Sequence, residues 1–235
     1  MDKTGTSSTI VVAVALIALL AGFGGAKLLD KSNTSSTTAT TSTAVPMAMP
    51  SMAPDSGTKS GDLRATLVQY GVQHMDLTSQ AVDAALDGNA NAGEMKNELI
   101  ANGTNLSAKI GSVYGADAQA AFQKIWNIHL VDFVNYAVAG KKGDSAGKAA
   151  ALADISTNYT KPISVLLSGA NPNLPEATLE TAFGDHITMT AAMIDDHVAG
   201  KYPQETIDRE AAIKHINDLM STLAGAIVKQ YPAKF

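Results

Sequence analysis

Histidine is the side chain here best suited to chemistry, because the chain has no cysteine and its five histidines lie at spacings that helices can bring together. His74, His129, His186 and His215 fall in four separate segments of helical periodicity. His197 follows His186 on the same segment. There His186, Met189 or Thr190, Met193 and His197 recur at i, i+3/4, i+7 and i+11, so they share one broad helical face. Imidazole nitrogens that converge from several helices suit zinc, iron or copper, and bundles build such sites between facing helices. Asp218, near His215, adds a carboxylate ligand or acceptor. The candidate metal ligands are therefore His74, His129, His186, His197, His215 and Asp218, for a transition metal or for haem.

Several familiar chemistries are excluded. Without cysteine there is no thiolate metal site, iron–sulfur cluster or cysteine nucleophile. No glutamate is followed three residues later by histidine, as a di-iron bundle requires, and no H-E-x-x-H stands in the chain. Nor does any serine sit at a nucleophile elbow. Met47, Met49 and Met52, interleaved with prolines, are soft donors of the kind that suits Cu(I). A competing reading makes the histidines structural, each first-helix imidazole bonding to an amide or carboxylate on the next helix. It pairs His74 with Asn105, His129 with Asn158 and His186 with Asp218.

The elements that must carry these side chains are helices. From residue 62 onward apolar residues recur every three or four positions and alternating runs are absent. The spacing predicts helices over 62–87, 92–114, 117–139, 144–167, 175–199 and 204–230. Gly88, Gly140, Gly169 and Gly200 mark C-terminal ends, Asn91 with Glu94 reads as a capping box, and Pro162 should kink or divide the fourth helix. His74-Met75-Asp76-Leu77-Thr78 aligns with His186-Ile187-Thr188-Met189-Thr190, and Phe122, Trp126 and His129 align with Leu179, Phe183 and His186. The expected fold is thus all-α, a six-helix bundle of three αα-hairpin repeats, preceded by a transmembrane or signal helix and a disordered stalk.

The stretches YGADAQAAFQKIWNIHLVDF, LLSGANPNLP and FGDHITMTAAMIDD resemble an uncharacterised family of bacterial helical-bundle proteins with YG, DHI and ANP signatures. The resemblance implies the same helical fold and no particular activity. That family's first signature is tryptophan-rich, whereas this chain has Tyr70, Gln73, His74, Leu77 and Thr78 there.

Residues 1–9 read as an N-terminal tail, and the apolar run within 10–29 as a transmembrane signal-anchor or cleaved signal peptide. Residues 30–60, rich in Ser, Thr, Pro and Met, read as a disordered linker to a helical domain at 61–231. The formal charge of -5 disfavours nucleic acid as a partner. These observations together predict a non-enzymatic, membrane-tethered domain outside the cytoplasm, or secreted after cleavage, that binds an envelope protein or small ligand. The alternative is histidine- and methionine-based binding of Cu, Fe or Zn, or of haem, in the cell envelope.

Overall fold

The computed structural model describes residues 57–235. Six helices follow one another: α1 (Lys59–Asp87), α2 (Ala92–Tyr114), α3 (Ala116–Lys141), α4, α5 (Glu176–Val198) and α6 (Tyr202–Gln230). Helix α4 has three segments, Ser145–Ile155, a π-helical turn at Ser156–Thr160, and Lys161–Ala170. Thr58 caps α1 by accepting from the Gly61 amide, so the helix begins inside the stretch read as linker. Gly88 ends it in the left-handed conformation at φ 72°, which glycine adopts without a Cβ penalty. Asn91 caps α2 without a side-chain bond, so the expected capping box does not form.

The expected membrane or signal helix at 10–29, the tail at 1–9 and most of the linker lie outside the described residues. Among the described residues no helix is long and apolar enough to cross a membrane. The physical reason is visible in the longest helices: α6, for example, carries Asp208, Arg209, Glu210, Lys214 and Asp218 between its buried positions. Among the described residues the fold is an all-α six-helix bundle, and none of its helices is a membrane span. The membrane tether, and the cell-membrane, extracytoplasmic or secreted location that depended on it, are without structural support.

The bundle does not divide into three separate hairpins. Helix α1 packs against both α2 and α6, and α3 against both α2 and α4, so neighbouring pairs are joined as closely as the pairs within a hairpin. One core unites Leu63, Leu67 and Met75 of α1, Leu106 and Ile110 of α2, Ile155, Tyr159 and Ile163 of α4, and Ile216, Met220 and Ile227 of α6. Phe122, Trp126, Phe133 and Tyr136 form the buried stripe of α3, continuing the helical period through His129. Leu179, Phe183, His186, Thr190 and Met193 do the same on α5.

Pro162 explains the break in α4. Lacking an amide hydrogen, it cannot donate to the carbonyl four residues back, and its ring crowds that carbonyl. The chain widens just before it, and the Lys161 amide bonds to Ser156 O, five residues back. This turn carries Tyr159 fully into the core.

Close approach of α2 to α3 depends on Gly103. A Cβ at this position would stand 2.8 Å from both Cδ1 and Nε1 of Trp126. Trp126 is fully buried and its rigid ring has no room to retreat. Gly103→Ala is expected to cost about 1–3 kcal/mol through overpacking, measured by urea denaturation. An unchanged urea midpoint would show that α2 and α3 can separate freely at this contact.

Candidate metal centre

The apolar stripes of α1, α3 and α5 each carry one histidine at the same depth. His74, His129 and His186 are 1 %, 0 % and 1 % exposed. One ring nitrogen from each lies within 4.8 Å of the others. The closest pair, His129 Nε2 and His74 Nε2, is 3.4 Å apart. Ligands bound at about 2.0–2.1 Å around one ion stand roughly 3.3–3.6 Å from each other, so that pair has the spacing of a shared metal as well as of a long imidazole–imidazole hydrogen bond. The His186 ring centroid is 5.9 Å from that of His74 and 6.3 Å from that of His129.

Hydrogen bonding leaves most of this cluster unsatisfied. Among the described residues, Nδ1 of His74, Nδ1 of His129 and both nitrogens of His186 have no hydrogen-bond partner. Trp126 Nε1 and the Tyr159 hydroxyl are also unpartnered. Trp126 stands 4.8 Å from His74, and Tyr159 stacks on His129 at 4.2 Å between ring centroids. Buried polar groups are nearly always paired, and each one left alone costs about 1–3 kcal/mol. Four ring nitrogens in this one layer therefore lack the partner that a buried polar group normally has.

Electrostatics prepare the imidazoles as ligands. Burial pushes the His74 pKa down to about 3, assisted by His186. Burial and His215 push His186 down to about 4. His129 is held well below its ordinary value by burial and then by His74 and His186, while a contact with the Trp126 backbone, too poorly aligned to count as a hydrogen bond, acts in the other direction. All three are neutral at pH 7, the form in which imidazole donates a lone pair to a metal.

The partners expected of structural histidines do not take part. Asn105, Asn158 and Asp218 are all exposed. Asp218 pairs instead with Lys214 at 2.8 Å on the same helix. His215 lies apart from the cluster, its Nε2 2.8 Å from Ala182 O. Of the six candidate ligands, the structure thus brings three together and leaves His197, His215 and Asp218 outside.

His197 has its own surroundings, near one end of the bundle. Its Nδ1 is 3.1 Å from both Asp83 Oδ1 and Glu205 Oε2, and its Nε2 is 3.2 Å from Asp87 Oδ1. Asp83, His197 and Glu205 form a second group whose ligand atoms fall within metal-binding reach. Here, however, an oxygen faces each ring nitrogen, an arrangement satisfied by a doubly protonated imidazole without any metal. Burial disfavours that charge, but Asp83, the Asp87 hydrogen bond and Glu205 together raise the His197 pKa. Burial in turn raises Asp83 to about 6 against the opposing pull of His197.

Asp83, Asp87 and Glu205 escaped the sequence reading, although a signal was present. Two carboxylates one turn apart at the C-terminal end of a helix oppose its dipole, which implies a cation nearby. His197→Gln should destabilise the domain by about 1–3 kcal/mol at pH 6, with a smaller difference at pH 9. The sign follows from the raised pKa: the contribution of His197 is present at low pH and lost as pH rises through its folded value. Equal denaturation midpoints for the two proteins at pH 6 would rule the cation out.

The fold and site define an all-α bundle with a buried three-histidine cluster and a separate Asp/His/Glu cluster, both with geometry consistent with metal binding. No protein-family model matches the chain, and no curated protein or solved structure is significantly similar to it.

Proposed function

We propose that this helical domain binds one transition-metal ion through His74, His129 and His186. The observation that carries the reading is the convergence of three neutral, enclosed imidazoles, four of whose six ring nitrogens have no hydrogen-bond partner. When bound, the ion would supply the missing partner for a lone pair on each ring. Holding an ion suits the site better than turning over a substrate, because Trp126, Tyr159 and Phe133 pack directly on the imidazoles. Haem fits poorly for the same reason: aromatic side chains fill the space that a macrocycle around the histidines would need.

The test uses the full chain purified without a histidine tag. Metal analysis, followed by titration of the stripped protein with Cu, Zn, Fe and Co salts, should show one equivalent bound. His129→Leu should abolish it. Failure of every one of these ions to bind stoichiometrically, under both reducing and oxidising conditions, would exclude the reading.

A further inference from the structure

The charge of the donor set restricts which ion the cluster can hold. All three ligands are neutral, and no carboxylate joins their group among the described residues. Asp132, three residues after His129, is buried with its Oδ2 unpartnered, but it does not fall within ligand reach of the three histidines. Asp185, next to His186, is exposed. A divalent ion at this position would carry two uncompensated charges within an apolar shell. Because the desolvation penalty grows with the square of the charge, a monovalent ion meets about a quarter of it.

Coordination number points the same way. Zinc with three protein ligands normally completes its sphere with water or substrate, which requires room and a route to solvent. Here the ring nitrogens are enclosed, and aromatic rings lie 4.2 Å to 4.9 Å from the imidazoles. Cu(II) favours a tetragonal arrangement of four donors, which three converging imidazoles do not offer. Cu(I), with a filled d shell, accepts three neutral donors without a fourth.

We infer that the ion selected by His74, His129 and His186 is monovalent copper, held in a three-coordinate all-imidazole site; this rests on the metal-binding reading above. Trp126, the only tryptophan in the chain, stands 4.8 Å from His74 and 4.9 Å from His129. Its emission therefore reports occupation of the cluster directly.

The experiment titrates the full, untagged chain anaerobically with Cu(I) against a bicinchoninate competitor, and separately with Zn(II) and Co(II). Cu(I) should bind at one equivalent at least 100-fold more tightly than either divalent ion and should change Trp126 emission. The binding should disappear in His186→Leu and persist when Met47, Met49 and Met52 are all replaced by leucine. Zn(II) or Co(II) bound as tightly through the same histidines would overturn the copper assignment and leave metal binding standing. Binding of no ion would remove both. Copper retained in His186→Leu but lost in the methionine variant would place it on the N-terminal methionines and also overturn the inference. Should the leucine variant fail to fold, copper-edge X-ray absorption of the wild-type chain decides: three nitrogen scatterers support the site, and a sulfur-dominated shell refutes it.

Discussion

In metal-free protein, His186→Leu is expected to leave the domain as stable as wild type or to stabilise it by about 1–3 kcal/mol; under saturating metal the order reverses. Both nitrogens of His186 are buried without partners, so the folded state loses their hydration and gains no bond in return. Leucine has similar bulk and no polar atom to desolvate, and it would continue the buried stripe that Phe183 and Met193 form on the same helix. Metal changes the balance because it binds only the folded wild type. At a thousand times its Kd it adds about 4 kcal/mol, none of which reaches a variant that cannot bind. Urea denaturation of both proteins, with chelator and then with metal, should therefore give two curves that exchange order. A histidine that braces the core would instead make the leucine variant weaker by a similar amount under both conditions. That result would return the cluster to a purely structural role.

The physical basis of this contrast also explains what the sequence could and could not reveal. Helical periodicity is a local property, and the buried stripe from Phe122 through Trp126 to Tyr136 is legible wherever apolar residues recur at the right interval. The same register placed His74, His129 and His186 at equivalent depths on separate helices. Periodicity shows which face of a helix a residue occupies, but not which neighbouring face it meets. The decisive fact, that α1, α3 and α5 turn these faces toward one another, is set by packing between distant segments. For the same reason the expected pairing of His74 with Asn105 does not form: Asn105 lies on the next helix, but on its solvent face. The His197 cluster depends on the ends of α1 and α5 meeting the start of α6, and only the unfavourable placement of Asp83 and Asp87 hinted at it. Pro162 showed that α4 must break, but not that a π-helical turn would drive Tyr159 against His129.

Acidification should unfold the metal-free domain steeply, with the loss beginning near pH 6.5. The folded state holds His74 near a pKa of about 3 and His186 near about 4, with His129 also well below its ordinary value. Unfolded histidines take up protons near 6.5, so the unfolded chain binds them first as pH falls. The contribution of these three groups is thus complete above 6.5 and lost on the way down to the folded pKa values. Each unmatched proton changes stability by about 1.4 kcal/mol per pH unit, and three together by about 4. Asp83 works in the opposite sense: its folded pKa of about 6 lies above the ordinary carboxylate value, so below pH 6 the folded state holds a proton that the unfolded chain lacks. It offsets at most one of the three, and less where solvent screens it. His197 adds little in this interval, since with a raised pKa it is protonated in both states as the solution becomes acid. Asp132, also raised by burial, acts in the same sense as Asp83. The net slope should therefore correspond to about two protons, roughly 7 kcal/mol between pH 6.5 and pH 4, enough to unfold a domain in the lower part of the typical range of about 5–15 kcal/mol. Circular dichroism against pH should place the midpoint above roughly pH 4 for a slope of that size. Replacing His74, His129 and His186 together by leucine should flatten the curve, and added metal should move the wild-type midpoint to lower pH because protons then compete with a bound ion. A metal-free domain that stays folded to pH 3 with no steep transition would mean that these imidazoles can open to water without unfolding the bundle, and the enclosed site would lose its basis.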